Sequence, residues 1–381
     1  MESINWGDLN AETFLKEYWQ KKPLLIKQAI PGFEGTIDAN ELAGLAMEQE
    51  IESRIISQQG NNWQVDHGPF ESFEKYGEQD WTLLVQAVNN WSRETDSLIS
   101  LFDFIPRWRI DDVMVSFSTP NGGVGPHLDQ YDVFILQGEG QRHWKVGAPD
   151  SSLEDLVPHP DLKQVSPFTP VIDVITEPGD LLYIPPNHPH DGVSIENSLN
   201  FSIGFQAPNT QDMFSAFADK LIDENLGEQR FGDADRHVAD EPEVFEQKDI
   251  ESLRQFMLSQ LNDEQHFANF MGRYITMSHH ALELLIPMEP FTEEQVVGFT
   301  QDTEIQFVPV SGIKATVTNA PNHCLYINGE AFPLTAETEK LGHILAKQAP
   351  LTTETAKSFI DCLNNRQLLT TVLNKGYWYI E

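Results

Sequence analysis

The chain has 381 residues, which is enough for two or three domains. It carries 24 basic and 59 acidic residues, a formal net charge of −35, so direct binding of a nucleic-acid backbone is disfavoured and a basic protein partner would be attracted. The two cysteines lack C-x-x-C spacing, and there is neither a signal-peptide pattern nor a run of about 18 apolar residues, so we expect a cytoplasmic protein without structural disulfides or membrane spans.

Residues 1–107 are expected to be mainly helical. Asp38 and Glu41 have the spacing of a capping box at the start of a helix. The run from Trp81 to Val88 repeats apolar residues at a spacing that we interpret as helical.

Residues 108–207 are rich in strand-like runs and are the predicted barrel. Within them, Ser116 and Ser118 lie on one face of a predicted strand. Their hydroxyls could donate to a bound carboxylate, or they could lie on a plain solvated face.

His127 and Asp129 form an H-x-D pair, and His190 follows downstream in a loop after a short apolar strand. In a strand, residues i and i+2 point to the same face, so one strand could offer an imidazole and a carboxylate to one ion. Two histidines and one carboxylate are the ligands of a facial triad, which leaves positions open for oxygen chemistry at iron. An isolated H-x-D pair is a weak signal, and its alternative is a solvated turn.

Arg142 shares one face of a predicted strand with Trp144 and Val146, whereas His143 and Lys145 face the other way. A lone arginine on an apolar barrel face is costly without an anionic partner. A dicarboxylate co-substrate would be that partner, through a bidentate pair, and a salt bridge to a carboxylate of the chain is the alternative.

The spacing between the first metal-ligand candidate and the arginine is odd, 142 − 127 = 15. Across a hairpin the two would share a face only with an even loop or a bulge, which the glycines at 138 and 140 could supply.

Residues 208–290 are predicted to be a helical dimerisation region. Amphipathic helices are expected through Met213–Ile222, around Ile250–Leu261 and over Asp263–Met277, and their apolar stripes suggest a dimer surface. The alternative is that these stripes pack only against the barrel. A linker signal, Pro287–Pro290, closes the region.

Residues 291–381 are predicted to be a winged-helix-like domain. Helices are expected near Thr335–Gln348 and Thr353–Leu363, with strands at Ile305–Val310 and His323–Gly329. Its 6 basic against 10 acidic residues argue against the DNA-reading use of that fold.

Several longer motifs resemble one known family. The run from about Trp108 to Pro208 resembles the JmjC domain of Fe(II)- and 2-oxoglutarate-dependent oxygenases. The resemblance is stronger to the bacterial ribosomal oxygenases that hydroxylate an arginine of a large-subunit ribosomal protein, and it extends to both ends of the chain. The motifs that carry it are SFSTP, GPHLDQYDVF, PGDLLYIPP, NFSIGF, the opening FLKEYWQKKP and the closing GYW.

This resemblance implies an α+β fold with a JmjC/cupin-type double-stranded β-helix barrel. It also implies ligation of Fe(II) by His127, Asp129 and His190, binding of 2-oxoglutarate by Ser116 and Arg142, and use of dioxygen as the second co-substrate. One departure is His188, which stands where the family usually has an aromatic residue and could compete as a ligand, although the family pattern favours His190.

Further roles in the site are expectations of the sequence pattern. Asn200 lies on the same strand face as Ser202 and Gly204 and could donate to the co-substrate. Tyr131 and Asp132 are candidates for contacting a substrate guanidinium.

The leading interpretation is a protein arginine hydroxylase of a large-subunit ribosomal protein, acting as a homodimer. The alternatives are a JmjC histidine hydroxylase or demethylase, and a non-catalytic metal-binding cupin that acts in ribosome assembly.

Overall fold

The structure is a computed structural model that describes residues 3–60 and 62–381. The chain divides into two compact units. The first contains the chain through Ala207 together with His279–Glu283 and Val310–Gly312, and the second contains Pro208–Ser278, Leu284–Pro309 and Ile313–Glu381.

The described residues of the first unit form mainly strands, and the three α-helices among them are short: α1 (Ala11–Glu17), α2 (Ala39–Leu45) and α3 (Arg93–Ser97). Five strands precede or begin the predicted barrel: β1 (Leu24–Ile26), β2 (Ser53–Gln59), β3 (Asn62–His67), β4 (Trp81–Val85) and β5 (Ile110–Ser118). Eight strands complete it: β6 (Val133–Glu139), β7 (Arg142–Gly147), β8 (Asp155–His159), β9 (Leu162–Val165), β10 (Pro170–Thr176), β11 (Leu181–Ile184), β12 (His190–Ser194) and β13 (Ser198–Phe205).

These strands form two antiparallel sheets that enclose the cavity described below. The larger has eight strands in the order β1-β11-β6-β13-β5-β4-β2-β3, and the smaller has three in the order β10-β7-β12. Strands β8 and β9 form a separate hairpin. The expected α+β class with an antiparallel barrel is therefore confirmed.

The core of this unit lies behind the larger sheet. Along β13, Phe201, Ile203 and Phe205 are buried in the core, whereas the residues between them face the cavity. The N-terminal helix closes this core, because the ring of Phe14 lies 4.9 Å from the ring of Tyr183. Period-two alternation thus separates a dry aromatic layer from a polar interior.

The prediction that residues 1–107 are mainly helical is wrong. The capping box at Asp38 is present, but the apolar run at Trp81–Val85 is strand β4 instead of a helix. All five of its residues are buried because it pairs with β2 on one side and β5 on the other. A short run that is apolar on both faces does not distinguish a buried strand from a helix.

The second unit contains the predicted helices α4 (Thr210–Asp223), α5 (Gln247–Leu258) and α6 (Glu264–Thr276). Its later helices are α7 (Glu293–Phe299), α8 (Glu339–Ala346), α9 (Thr353–Ile360) and α10 (Leu363–Asn374). Its strands form two three-stranded sheets: β14 (Gln306–Pro309), β15 (Ala315–Thr318), β16 (Cys324–Ile327), β17 (Glu330–Pro333), β18 (Leu351–Thr352) and β19 (Trp378–Ile380). Helices α7 and α10 were not anticipated from the sequence. Within the described residues, none of the helices combines the length and apolar character that crossing a bilayer requires.

Candidate metal and co-substrate site

His127, Asp129 and His190 meet at one point. One ligand atom from each lies within 4.8 Å of the others. The Nε2 atoms of His127 and His190 lie 4.0 and 3.5 Å from Asp129 Oδ2. The expected strand for the H-x-D pair is reduced to a single bridge, in which His127 and His190 exchange two backbone hydrogen bonds of 3.0 Å, while Asp129 lies in the loop that follows.

Backbone carbonyls fix the orientation of both imidazoles. His127 Nδ1 lies 2.9 Å from the carbonyl oxygen of Gly125, and His190 Nδ1 lies 3.0 Å from that of His188. If each Nδ1 carries the proton and donates it, each Nε2 is left as a lone-pair donor. Burial lowers the pKa of His190 to about 4, which keeps this imidazole neutral at physiological pH, the form that binds metal.

His188, the alternative third ligand, lies outside this cluster. Its side chain is buried, and its Nδ1 lies 3.0 Å from the carbonyl oxygen of Pro186. The geometry therefore favours His190 as the partner of the H-x-D pair.

Arg142 lies in the same cavity and is buried against three serine hydroxyls. Its guanidinium donates to Ser116 at 3.3 Å, to Ser118 at 2.7 Å and to Ser198 at 3.1 Å. Burial lowers its pKa to about 9, so it stays charged at neutral pH. In the part of the chain that the structure describes, no carboxylate oxygen lies within 4.0 Å of it. The alternative of a structural salt bridge is therefore excluded for the described residues.

Other buried polar atoms around the guanidinium also lack partners. Arg142 Nε, Trp144 Nε1 and both amide atoms of Asn200 are buried without a hydrogen bond. Asn200 faces Ser116 across the β5–β13 pair, which puts its amide on the same side of the sheet. A buried polar group without a partner is costly, so this cluster fits an anionic, oxygen-rich ligand.

The path from the H-x-D pair to the arginine differs from the expected hairpin. Strand β6 belongs to the eight-stranded sheet, whereas β7, which begins at Arg142, belongs to the three-stranded sheet. The chain thus crosses between sheets at Gly140, whose φ of 61° favours glycine. The parity argument was wrong because it assumed that β6 and β7 pair with each other.

The cavity has a volume of about 580 Å³ and is lined from both sheets. Carboxylates on its wall outnumber cations; the carboxylate side chains are those of Glu52, Asp111, Asp112, Asp129 and Asp161, and the cations are Arg54, Arg142 and Lys163. Tyr131 also lines it. The expectation for Asp132 is wrong, because this side chain is fully buried and accepts hydrogen bonds from Tyr183 at 2.6 Å and Gln20 at 2.8 Å.

Two features of the wall were missed by the sequence analysis. Gly192 lies against the ring of Trp144, and a Cβ there would come within 2.6 Å of it, so a larger residue would displace the indole. His280 comes from a segment far outside the barrel sequence yet lines the same cavity. His280 lies in no recognisable sequence motif, so the sequence alone did not indicate that it lines the cavity.

Comparison with known families matches both parts of the chain. Residues 97–213 match the JmjC domain, and residues 259–379 match the ROXA-like winged helix. The chain is 41% identical over 379 residues to the ribosomal protein uL16 3-hydroxylase of Escherichia coli, covering 100% of this chain and 98% of that protein. It is 30% identical to a probable ribosomal oxygenase of Haemophilus influenzae, covering 84% of this chain and 82% of that one.

Solved structures agree with this similarity. The X-ray structure of E. coli YcfD superposes with a TM-score of 0.93 at 40% identity, and 100% of each chain is covered. A structure of the same ribosomal oxygenase in complex with cobalt and 2-oxoglutarate superposes with a TM-score of 0.89 at 39% identity, covering 100% of this chain and 99% of that one.

Proposed function

This chain belongs to the JmjC-domain ribosomal oxygenases, and we propose that it hydroxylates an arginine side chain of a large-subunit ribosomal protein, using Fe(II), 2-oxoglutarate and dioxygen. The observation that carries the proposal is Arg142, a buried cation without a carboxylate partner in the described residues, placed in one cavity with the His127, Asp129 and His190 cluster. A binding module without catalysis would have no use for this arrangement.

His127, Asp129 and His190 would hold the metal, and Arg142 with Ser116 would hold the distal carboxylate of 2-oxoglutarate. Asn200 is the candidate for a further hydrogen bond to the co-substrate, since both its amide atoms are buried without a partner. The bound metal and co-substrate supply the oxidising power that hydroxylates a C–H bond. The chain would orient the co-substrate by pairing its far end with a fixed guanidinium, beside which lies the buried ring of Trp144.

The acidic wall of the cavity supports a cationic target side chain. We assign recognition of the substrate guanidinium to Asp112 and Tyr131, because both line the cavity that contains His127, Asp129 and His190. A carboxylate pairs with a guanidinium through two parallel hydrogen bonds. The net charge of −35 would also attract a basic ribosomal protein and repel a nucleic-acid backbone, so no direct nucleic-acid binding is proposed.

The test is mass spectrometry of ribosomal proteins from cells with and without this gene. One arginine of a large-subunit protein should carry one extra oxygen atom only when the gene is present, and the purified enzyme with iron(II) and 2-oxoglutarate should restore it. An added oxygen on histidine, or a lost methyl group on lysine, would instead support the histidine hydroxylase or the demethylase. No change in any ribosomal protein would overturn the proposal.

We also propose a homodimer, formed through the second unit. Large apolar side chains are exposed there: Phe214 and Ile222 on α4 and Met257 on α5 are 58%, 72% and 74% exposed. Exposed apolar patches of this kind mark association surfaces. Light scattering should give the mass of two chains for the wild type and of one chain for Phe214→Glu, while Asp223→Lys, an exposed position on the opposite side of the same helix from Phe214, serves as control. An unchanged mass for Phe214→Glu would count against this surface.

The oxygenase domain is proposed to cover residues 1–207, the helical dimerisation region 208–290 and the winged-helix domain 291–381. A cytoplasmic location is proposed as well, because both cysteines are free, as expected in a reducing compartment.

A further inference from the structure

Among the described residues that line the cavity, His280 alone comes from beyond residue 207, where the barrel strands end. His280 belongs to the segment His279–Glu283, which packs into the first unit. Its imidazole lies between two carboxylates, with Nδ1 3.6 Å from Glu52 Oε2 and Nε2 3.8 Å from Asp112 Oδ2. All three side chains line the cavity that also contains the candidate metal ligands His127, Asp129 and His190.

A pair of buried amides brings His280 and Asp112 together. Asn89 Oδ1 accepts from the backbone N–H of Val113 at 2.8 Å, and Asn90 Nδ2 donates to the carbonyl oxygen of Ala281 at 2.8 Å. The two amides are joined by a hydrogen bond of 3.1 Å. Val113 directly follows Asp112 and Ala281 directly follows His280, so one buried network fixes the backbone beside both side chains.

The Asp112 carboxylate is itself held in one orientation. Its Oδ2, the atom nearest His280, accepts from the backbone N–H of Ala87 at 2.9 Å. Its Oδ1 lies beside Gly204, where a Cβ would come within 3.3 Å. The backbone N–H of Ala87, the imidazole of His280 and the open space at Gly204 thus define where the Asp112 carboxylate can lie. Bidentate recognition of a guanidinium needs such a fixed carboxylate.

We propose that His280 is a positioning residue for substrate recognition, which holds the Asp112 carboxylate toward the target arginine and makes the barrel sequence alone an incomplete substrate site. This inference rests on the proposed function, because it assigns a role in binding the same cationic side chain. It predicts that the segment His279–Glu283, which lies outside the barrel strands in sequence, contributes to substrate affinity and contributes little to binding of the co-substrate.

The experiment compares the full-length wild type with His280→Ala, His280→Gln and the control His279→Ala, an exposed histidine next in the chain. The substrate is the arginine peptide identified by mass spectrometry. His280→Ala should raise KM about tenfold with a much smaller change in kcat. His280→Gln should recover part of the loss, because a glutamine side chain can fill the same space and its amide can donate to a carboxylate. His279→Ala should behave as the wild type.

A double-mutant cycle tests whether His280 acts through Asp112. In an Asp112→Asn background, His280→Ala should add less than a further twofold to KM, because coupled residues are not additive. Equal KM values for His280→Ala and wild type, full additivity in the cycle, or an equal loss of 2-oxoglutarate affinity would each overturn the inference. Failure of the wild type to hydroxylate any arginine peptide would instead overturn the proposed function.

Discussion

Replacing Arg142 by methionine should weaken 2-oxoglutarate binding and yet not destabilise the protein without ligand. Arg142 is 4% exposed, and burial lowers the pKa of its guanidinium from 12.5 to about 9. At ~1.4 kcal/mol for each pKa unit, keeping this side chain charged in the fold costs on the order of 5 kcal/mol. Three serine hydrogen bonds offset part of that cost, at about 1 kcal/mol each.

Two measurements follow from this balance. Removing the partner of a buried carboxylate costs roughly 3–5 kcal/mol, so the dissociation constant of 2-oxoglutarate should rise at least about a hundredfold in Arg142→Met. Without ligand, the midpoint of urea unfolding should stay the same or rise, because the buried charge is gone. Arg142→Lys should be milder in binding, since it keeps the charge but loses the planar fork.

Titration calorimetry with an inert divalent metal and urea unfolding of the same samples provide the test. Lys145→Ala is the matched control, because this lysine is exposed on the opposite face of the same strand. If Arg142→Met unfolded several kcal/mol more easily while binding 2-oxoglutarate as the wild type does, the arginine would serve the fold, and the reasoning would be refuted.

Three further predictions concern the site and its supports. His190→Ala should abolish iron binding and turnover whereas His188→Phe should keep both, measured by metal titration and 2-oxoglutarate consumption; the opposite pattern would reassign the ligand. Gly192→Ala should displace the indole that flanks Arg142 and cost about 1–3 kcal/mol of unfolding free energy by overpacking, with weaker 2-oxoglutarate binding; an unchanged crystal structure and affinity would contradict this. Burial raises the pKa of the Asp96 carboxyl to about 6, so the stability that its protonated form contributes is present at low pH and is lost as pH rises through 6. Asp96→Asn should therefore be more stable than the wild type by roughly 1–3 kcal/mol at pH 8, with a smaller difference at pH 5. Parallel urea titrations at the two pH values measure this difference.

The residues proposed to bind the metal and co-substrate could be selected from the sequence because each carries its own local pattern. The alternation of β7 correctly puts Arg142, Trp144 and Val146 on the buried face. The alternation of β13 separates Asn200 from the aromatic core in the same way. Period-two patterns are short-range, so they survive without knowledge of the tertiary fold.

The features that could not be predicted from the sequence depend on which strands become neighbours in the fold. The run at Trp81–Val85 has the composition of either a buried strand or a helix, and its position between β2 and β5 decides the matter. Asp132 was chosen as a substrate contact because it is acidic and near the H-x-D pair. It instead accepts a hydrogen bond from Tyr183 on the buried side, which no local pattern reveals.

The position of His280 in the cavity wall also depends on tertiary neighbours that no local pattern reveals. Its place in the chain suggests how substrate specificity can change separately from catalysis in this protein. The residues proposed to hold the metal and the co-substrate all lie between positions 116 and 200, on strands and loops of the barrel. The part of the cavity wall proposed to bind the substrate is different. There, the buried amides of Asn89 and Asn90 link β5 to the segment His279–Glu283 through the backbone of Ala281, which lies 191 positions after Asn90 in the chain. Changes in that segment can therefore alter which cationic side chain is accepted while the oxidising site stays intact.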